Sequence, residues 1–141
     1  MQEKEKGMSG HVIVCGFGIL GQKIVDVLAE HNVKFIVIDS DAKVATLVKE
    51  YGHDCIEGDA TRSRTLRLAG IEKAKAIAIA LDDDAKNLFT VLTARDLNKN
   101  IFIAARANDE FVRNKLIEAG ADYVVMQQKA ASKEIADELL K

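Results

Sequence analysis

Three closely spaced glycines, Gly16, Gly18 and Gly21, have the clearest chemical meaning in this chain. They follow a run of β-forming residues at 11–15, and apolar residues recur at helical spacing after Gly21, so the order is strand, tight turn and helix. In this setting the first glycine permits the turn, the second lets a pyrophosphate approach the backbone, and the third allows close packing. Unpaired N–H groups at the helix start would bind the phosphates. The alternative is a glycine turn with a structural role only.

An acidic residue stands where a ribose would be bound. Asp39 closes the apolar run 35–38 and lies 18 residues after Gly21, where a carboxylate can accept both ribose hydroxyls. Ser40, rather than an arginine, follows it, so a 2′-phosphate would be repelled and NADP is disfavoured. The alternative is a carboxylate that only stabilises the N-terminus of the next helix.

Other charged residues are expected near the same place. Asp59 could contact the adenosine end of a ligand or help to cap a helix that starts after Thr61, and both interpretations stay open. Three consecutive acids, Asp82–Asp84, enter a helix and point in different directions, so we expect helix capping rather than a cation site. Arg106 ends a strand at the ligand edge, which suits a phosphate or a carboxylate.

Strand and helix patterns alternate along the whole chain, and proline is absent. The patterns predict six strands, at 11–15, 35–39, 54–57, 74–81, 101–105 and 123–126, each followed by a helix, the last at 130–140. The fourth strand is expected to be central and buried on both faces. Because parallel crossovers are right-handed, we predict a single α/β domain with a doubly wound, Rossmann-like parallel sheet of six strands in the order 3-2-1-4-5-6.

Composition excludes several classes of protein. The net charge is −2 and no basic stripe is present, so we expect no nucleic-acid partner. No apolar run approaches the roughly 20 residues of a membrane span, and the charged start lacks the apolar segment of a signal peptide. These features predict a cytoplasmic protein. Cys15 and Cys55 are expected to be buried small hydrophobes, with a redox sensor as the alternative.

No catalytic or metal constellation can be assembled from the sequence. The three histidines have no ligand spacing, and neither Ser/His/Asp nor Cys/His arrangements are found. A dehydrogenase of this fold needs a second domain, whereas this chain is expected to end roughly with its dinucleotide fold. The residues therefore predict a nucleotide-binding module that is not an enzyme.

A series of motifs resembles the N-terminal lobe of RCK domains (regulators of potassium conductance, also called KTN or TrkA-N domains), most like those of prokaryotic potassium channels. The resemblance spans nearly all of residues 11–126 and rests on HVIVCGFGILG, VIDSD, EGDATRSRTLRLAGI, AIAIALDDDAKNLFTVLTARDL, IFIAARAND and LIEAGADYVV. It implies a cytoplasmic domain that forms homodimers or larger rings and gates the pore of a membrane potassium channel or transporter on binding a ligand.

The resemblance also implies a binding site for an adenine nucleotide: NAD, NADH, AMP, ADP or ATP. The expected site residues are Gly16, Phe17, Gly18, Ile19, Leu20, Gly21, Asp39, Ser40, Asp59, Ala60 and Arg106. Ile19 stands where many nucleotide-binding members have arginine, which removes one phosphate contact. Ala80, Ala105 and Ala107 stand where calcium-gated members have acids, so no metal site is expected.

The expected organisation is a flexible leader or linker at 1–10, a Rossmann-type lobe at 11–128, and a terminal crossover or dimerisation helix at 129–141. That helix carries an apolar stripe of Ile135, Ala136, Leu139 and Leu140, which either packs on its own sheet or crosses to a partner subunit.

Three alternatives to a channel domain remain. The GDATR and ARA segments are also similar to the regulatory domain of glutathione-gated potassium efflux antiporters. A chain of this fold could instead be the cofactor domain of a truncated NAD-dependent oxidoreductase, or an assembly domain whose glycine turn binds nothing.

Overall fold

The computed structural model describes residues 8–141, in which strands and helices alternate. The strands are β1 Val12–Cys15, β2 Phe35–Asp39, β3 Cys55–Glu57, β4 Ala76–Ile79, β5 Phe102–Ala107 and β6 Tyr123–Met126. The helices are α1 Ile19–Glu30, α2 Ala42–Glu50, α3 Ser63–Leu68, α4 Asp84–Leu97, α5 Glu110–Ala119 and α6 Gln127–Leu139.

All six strands are parallel, in the order β3-β2-β1-β4-β5-β6, which confirms the predicted doubly wound topology. The chain changes direction across the sheet between β1 and β4. Cys15 at the end of β1 pairs with Ile38 in β2 and with Ile79 in β4, so these three strands end nearly level. Their following loops therefore leave the sheet side by side.

Helices cover the two faces of the sheet unequally. On the first face, α3, α4 and α5 pack on isoleucines from the central strands. On the second face, α1 and α2 cover β1, β2 and β3. No helix covers the rest of the second face, which is formed by β4, β5 and β6 of the described residues. On it Ala78 and Ala104 are half-buried, and Phe102 and Tyr123 are 51% and 59% exposed. We call this surface the open half-sheet.

The open half-sheet corrects one prediction. The fourth strand is central, as expected, but it spans four residues rather than 74–81, and its burial alternates. Ile77 and Ile79 are buried under helices, whereas Ala76 and Ala78 are half-buried on the opposite face. Ala76 packs against the core under α1 and α2, and Ala78 lies in the open half-sheet. A continuous run of apolar residues in the sequence does not reveal that helices cover only one face of the strand completely.

The terminal helix also differs from the prediction. It begins at Gln127 rather than at 130, directly after β6, and every residue of it is exposed. Because no loop separates β6 from α6, the helix extends from the sheet instead of folding back over it. The apolar stripe, including Ile135 at 62% and Leu139 at 79% exposure, therefore does not pack on its own sheet.

Three of the six described helices begin at an aspartate that caps them. Asp41, Asp83 and Asp109 accept hydrogen bonds from backbone N–H groups at the starts of α2, α4 and α5. A helix follows Thr61, as expected, but Thr61 does not cap it. The N-cap of α3 is Arg62, one residue later, and it makes no side-chain capping bond. The Thr61 hydroxyl donates to the Asp59 carboxylate.

Arg95 connects α4 to the backbone just before β5 and β6. Arg95 on α4 is 21% exposed in its side chain and donates to the carbonyl oxygens of Gly120 (2.8 Å) and Ile101 (2.9 Å) and to the Asp122 carboxylate (2.8 Å). These bonds join α4 to the starts of β5 and β6. A guanidinium suits this position because its donors form a rigid fork.

Of the predicted leader, residues 1–7 lie outside the described residues. Met8 packs against the first-face core, and the Gly10 N–H donates to the Lys73 carbonyl at 2.8 Å. None of the helices within residues 8–141 combines the length and apolar character that crossing a membrane requires.

Candidate functional site: a cavity at the glycine turn

The glycine turn after β1 is built on two close approaches. Gly16 has φ +95°, and a Cβ there would lie 2.7 Å from the Ala80 carbonyl oxygen at the end of β4. A Cβ on Gly21 would overlap the Gly16 carbonyl, so α1 packs directly on the turn. Both glycines are therefore needed to bring the start of α1 against the carboxyl end of β1.

A cavity of about 290 Å³ opens between this turn and the ends of β2, β3 and β4. Seven of the predicted site residues line it: Gly16, Phe17, Gly18, Asp39, Ser40, Asp59 and Ala60. Four others do not: Ile19, Leu20, Gly21 and Arg106. Ile19 is 78% exposed at the start of α1, and Gly21 is buried behind the turn.

Gly18 faces the open part of the cavity. A Cβ built on it would meet nothing closer than the Asp82 carboxylate, at 3.9 Å. This is the place where a phosphate could approach the backbone, and its emptiness contrasts with the crowding at Gly16 and Gly21. The residues present therefore fit a pyrophosphate at the turn.

Asp39 connects the glycine turn to the next helix. One carboxylate oxygen accepts the Phe17 N–H at 3.0 Å, and the other accepts the Asp41 N–H at 2.9 Å. The side chain is half-buried. Each oxygen keeps a second lone-pair direction, so ribose hydroxyls could still donate to it. The structural role of this carboxylate at the start of the next helix is therefore compatible with a ribose role.

Asp59 is held in a local turn at the cavity wall. Oδ1 accepts the Thr61 hydroxyl at 2.7 Å and the Thr61 N–H at 2.9 Å. These two bonds lower the pKa of the Asp59 carboxyl, and the positive charges of Arg62 and Lys86 lower it further. Asp59 is exposed and stays ionised, so it can also accept a hydrogen bond from a ligand.

The three consecutive acids have three different partners, and only the middle one caps the helix. Asp83 caps α4 by accepting the Lys86 N–H at 3.1 Å. Asp84 accepts from the Asn108 side chain at 3.1 Å. Asp82 is 92% exposed in its side chain and lies 3.7 Å from the guanidinium of Arg106. Within residues 8–141, no group of histidine, cysteine and acidic side chains is placed to hold a metal ion.

Two residues of α4 that shape the cavity were not predicted from the sequence. The Lys86 side chain lines the cavity and brings a positive charge to it. Asn87 is fully buried: its Oδ1 accepts the Leu81 N–H and its Nδ2 donates to the Leu81 carbonyl, both at 3.0 Å. It thereby fixes the loop after β4. The available signal was a polar residue at helical spacing from the buried Val91 and Ala94.

Both cysteines are buried, which confirms their interpretation as small hydrophobes. Burial raises the pKa of the Cys15 thiol to about 12. The thiol is therefore protonated at physiological pH and unreactive, so the redox alternative is not supported at Cys15.

Comparison with known proteins agrees with this architecture. A family model described as the TrkA-N domain matches residues 12–127. Potassium channel protein 1 of Methanocaldococcus jannaschii is 41% identical over 138 residues, which cover 96% of this chain and 41% of that protein. This chain thus spans less than half of that relative.

Two solved structures are similar to the fold. The TrkA-N domain of the inner membrane protein ybaL from Escherichia coli superposes with a TM-score of 0.91 at 25% identity, over 96% of this chain and 99% of the other. The GsuK channel bound to NAD gives a TM-score of 0.78 at 25% identity, over 84% of this chain and 22% of the channel.

Proposed function

Because the chain belongs to the TrkA-N domain family, we propose that it is the ligand-sensing regulatory domain of a potassium channel or potassium transporter, and that its ligand is an adenine nucleotide. The similarity to an archaeal potassium channel protein supports the channel assignment, and the NAD-bound GsuK channel supports the ligand. In this proposal the domain lies at the cytoplasmic face of the membrane, next to its pore.

One observation carries the proposal: the Asp39 carboxylate and the open space beside Gly18 both border the cavity at the glycine turn. Asp39 accepts the Phe17 N–H inside the turn, and Gly18 leaves the space beside it open. We propose that the adenosine ribose binds at Asp39 and that the phosphates lie over Gly18 near the start of α1.

We further propose that the domain is not an enzyme. Asp39, Asp59 and Asp83 accept hydrogen bonds from nearby backbone N–H groups, so they shape the loops around the cavity. Among the described residues that line the cavity there is neither histidine nor cysteine that could act as a base or nucleophile. Hydride transfer from a bound nicotinamide to any added acceptor would contradict this.

A second copy of the chain is the proposed partner. The apolar stripe of α6 and the open half-sheet are two uncovered apolar surfaces of one molecule. We propose that α6 of each subunit packs on the other subunit of a homodimer, which can extend to a ring. A nucleotide that favours one arrangement of the two subunits would then change the force on an attached pore.

The ligand is tested by calorimetric titration of NAD, NADH, AMP, ADP and ATP. We expect at least one to bind, and binding to be lost in Gly18→Val, since the valine side chain would fill the space over the turn. Ala29→Val on the exposed side of α1 is the matched control and should bind normally. Failure of all five nucleotides to bind would reject the proposed function.

The homodimer is tested by analytical ultracentrifugation with and without the bound nucleotide. Ile135→Lys should shift the protein towards monomer because it places a charge in the apolar stripe. Glu134→Lys introduces the same residue at the neighbouring position and should leave the association intact. A wild-type protein that is monomeric under both conditions would contradict the dimer.

A further inference from the structure

The lining of the cavity is predominantly negative, although the phosphates of the proposed ligand are also negative. Among the described residues that line it are four carboxylates, from Asp39, Asp59, Asp82 and Asp83, and a single cation, Lys86. A ligand that brings several phosphates would meet this excess of like charge. The question is which carboxylate the phosphates would face.

Asp82 is the carboxylate that would lie nearest to phosphates bound over Gly18. Its Oδ1 is the atom nearest to the open side of Gly18, 3.9 Å from the position that a Cβ would take there. Its side chain is 92% exposed and accepts no hydrogen bond from a backbone group that the structure shows, unlike the other three. Asp82 therefore lies beside the turn, and its contact among the described residues is the ion pair with Arg106.

Positive charge near the turn is reduced in two ways. Arg106 is 18% exposed, does not line the cavity, and lies 3.7 Å from Asp82, so it partly neutralises that acid instead of meeting a ligand. Ile19, at the first position of α1, contributes no charge. Lys86 is the one cation among the described lining residues that could contact a phosphate, and its charge also acts on the Asp59 carboxylate.

We propose that Asp82 makes this cavity select adenine nucleotides of low net negative charge, so that NAD⁺ is preferred to ATP. This proposal rests on the proposed function. NAD⁺ has two phosphate charges and a positive nicotinamide ring, whereas ATP has about four negative charges near neutral pH. At roughly 6 Å and a water-like dielectric, each additional phosphate charge facing a carboxylate lowers affinity about threefold.

The experiment measures the dissociation constants of NAD⁺ and ATP by calorimetry at low salt with EDTA present, for the wild type, Asp82→Asn and Asp96→Asn. Asp96 is an exposed acid on α4 that does not line the cavity, so its variant removes the same charge elsewhere. We expect wild type to bind NAD⁺ more tightly than ATP. Asp82→Asn should improve ATP binding about tenfold or more and NAD⁺ binding about threefold or less.

Salt gives a second measurement that needs no variant. Repulsion between the cavity and ATP is screened by ions, so the preference of the wild type for NAD⁺ should shrink as the ionic strength rises. Wild-type protein that binds ATP as tightly as NAD⁺, or equal changes in Asp82→Asn and Asp96→Asn, would overturn the charge selection but leave the proposed function standing. Absence of binding by either nucleotide would overturn both.

Discussion

Replacing Asp39 with alanine should weaken nucleotide binding while the domain stays folded. The substitution removes the acceptor of two backbone hydrogen bonds, from the N–H groups of Phe17 (3.0 Å) and Asp41 (2.9 Å). A buried hydrogen bond to a charged group contributes about 1.5–3 kcal/mol, but water can reach this half-buried site, so we expect a total loss of about 1–2 kcal/mol. A domain with a free energy of unfolding of about 5–15 kcal/mol tolerates that loss.

Asp41→Ala is the matched control. Asp41 caps α2 by accepting the N–H groups of Lys43 (2.8 Å) and Val44 (3.3 Å), and it does not line the cavity. Loss of such a cap costs about 1 kcal/mol. The two variants therefore remove an aspartate two residues apart and lose similar stability, but only one of them removes the proposed ribose acceptor.

Stability is measured by urea unfolding followed by circular dichroism, and affinity by calorimetry with the nucleotide that wild type binds best. We expect Asp39→Ala to bind about tenfold or more weakly, as loss of a charge-assisted hydrogen bond implies, and Asp41→Ala to bind as wild type does. Equal losses of nucleotide affinity in both variants would show that binding depends only on the start of α2. Full affinity in Asp39→Ala would place the ribose elsewhere. Either result would refute the assignment.

Four further outcomes are expected. Gly21→Ala should destabilise the domain by about 2–4 kcal/mol in urea unfolding, because its Cβ would overlap the Gly16 carbonyl; wild-type stability would contradict the close approach. Arg95→Lys should lose about 1–3 kcal/mol in the same assay, since an ammonium cannot replace the forked donors, and a neutral result would show that the fork adds little. The Cys15 thiol, whose pKa is raised to about 12, should react with an alkylating reagent at pH 8 only after denaturation. Asp59→Asn should lower the melting temperature at neutral pH, because hydrogen bonds lower the pKa of the folded carboxyl. That contribution is present above the unfolded pKa of about 4 and is lost as the pH falls through the folded value, so the two proteins should converge in acid.

The parts of the structure that follow from local patterns could be predicted. Alternation of strand and helix, together with right-handed crossovers, is sufficient for the order of the sheet. The glycine turn and the acid that closes β2 lie at positions set by short-range geometry, so Gly18 and Asp39 could be placed at one cavity before any contact was known. Helix caps at single aspartates, such as Asp109, depend on the neighbouring three residues only.

The parts that depend on packing between distant elements could not be predicted. Whether Lys86 reaches the cavity depends on the rotation of α4 about its axis, which is set by the buried Asn87 and its two bonds to Leu81. The half-exposure of β4 depends on a covering layer that residues 8–141 do not supply. Thr61 does not cap α3 because the helix begins one residue later, with Arg62 at the N-cap, while Thr61 is held in a local turn by its two hydrogen bonds to Asp59.

Arg106 connects the cavity to the surface where we propose a partner, through its contact with the lining residue Asp82. Arg106 lies on the face of β5 that forms the open half-sheet, because side chains alternate along a strand and it shares that face with Phe102 and Ala104. Its contact with Asp82 joins the Gly18 side of the cavity to that surface, and the bond from Asn108 to Asp84 makes a second link between the same two loops. A phosphate over the turn would repel the Asp82 carboxylate and so weaken its ion pair with Arg106, which lies on the open half-sheet. Ligand binding and subunit contact are therefore expected to be coupled through the contacts between these two loops, without a change in the fold of either subunit.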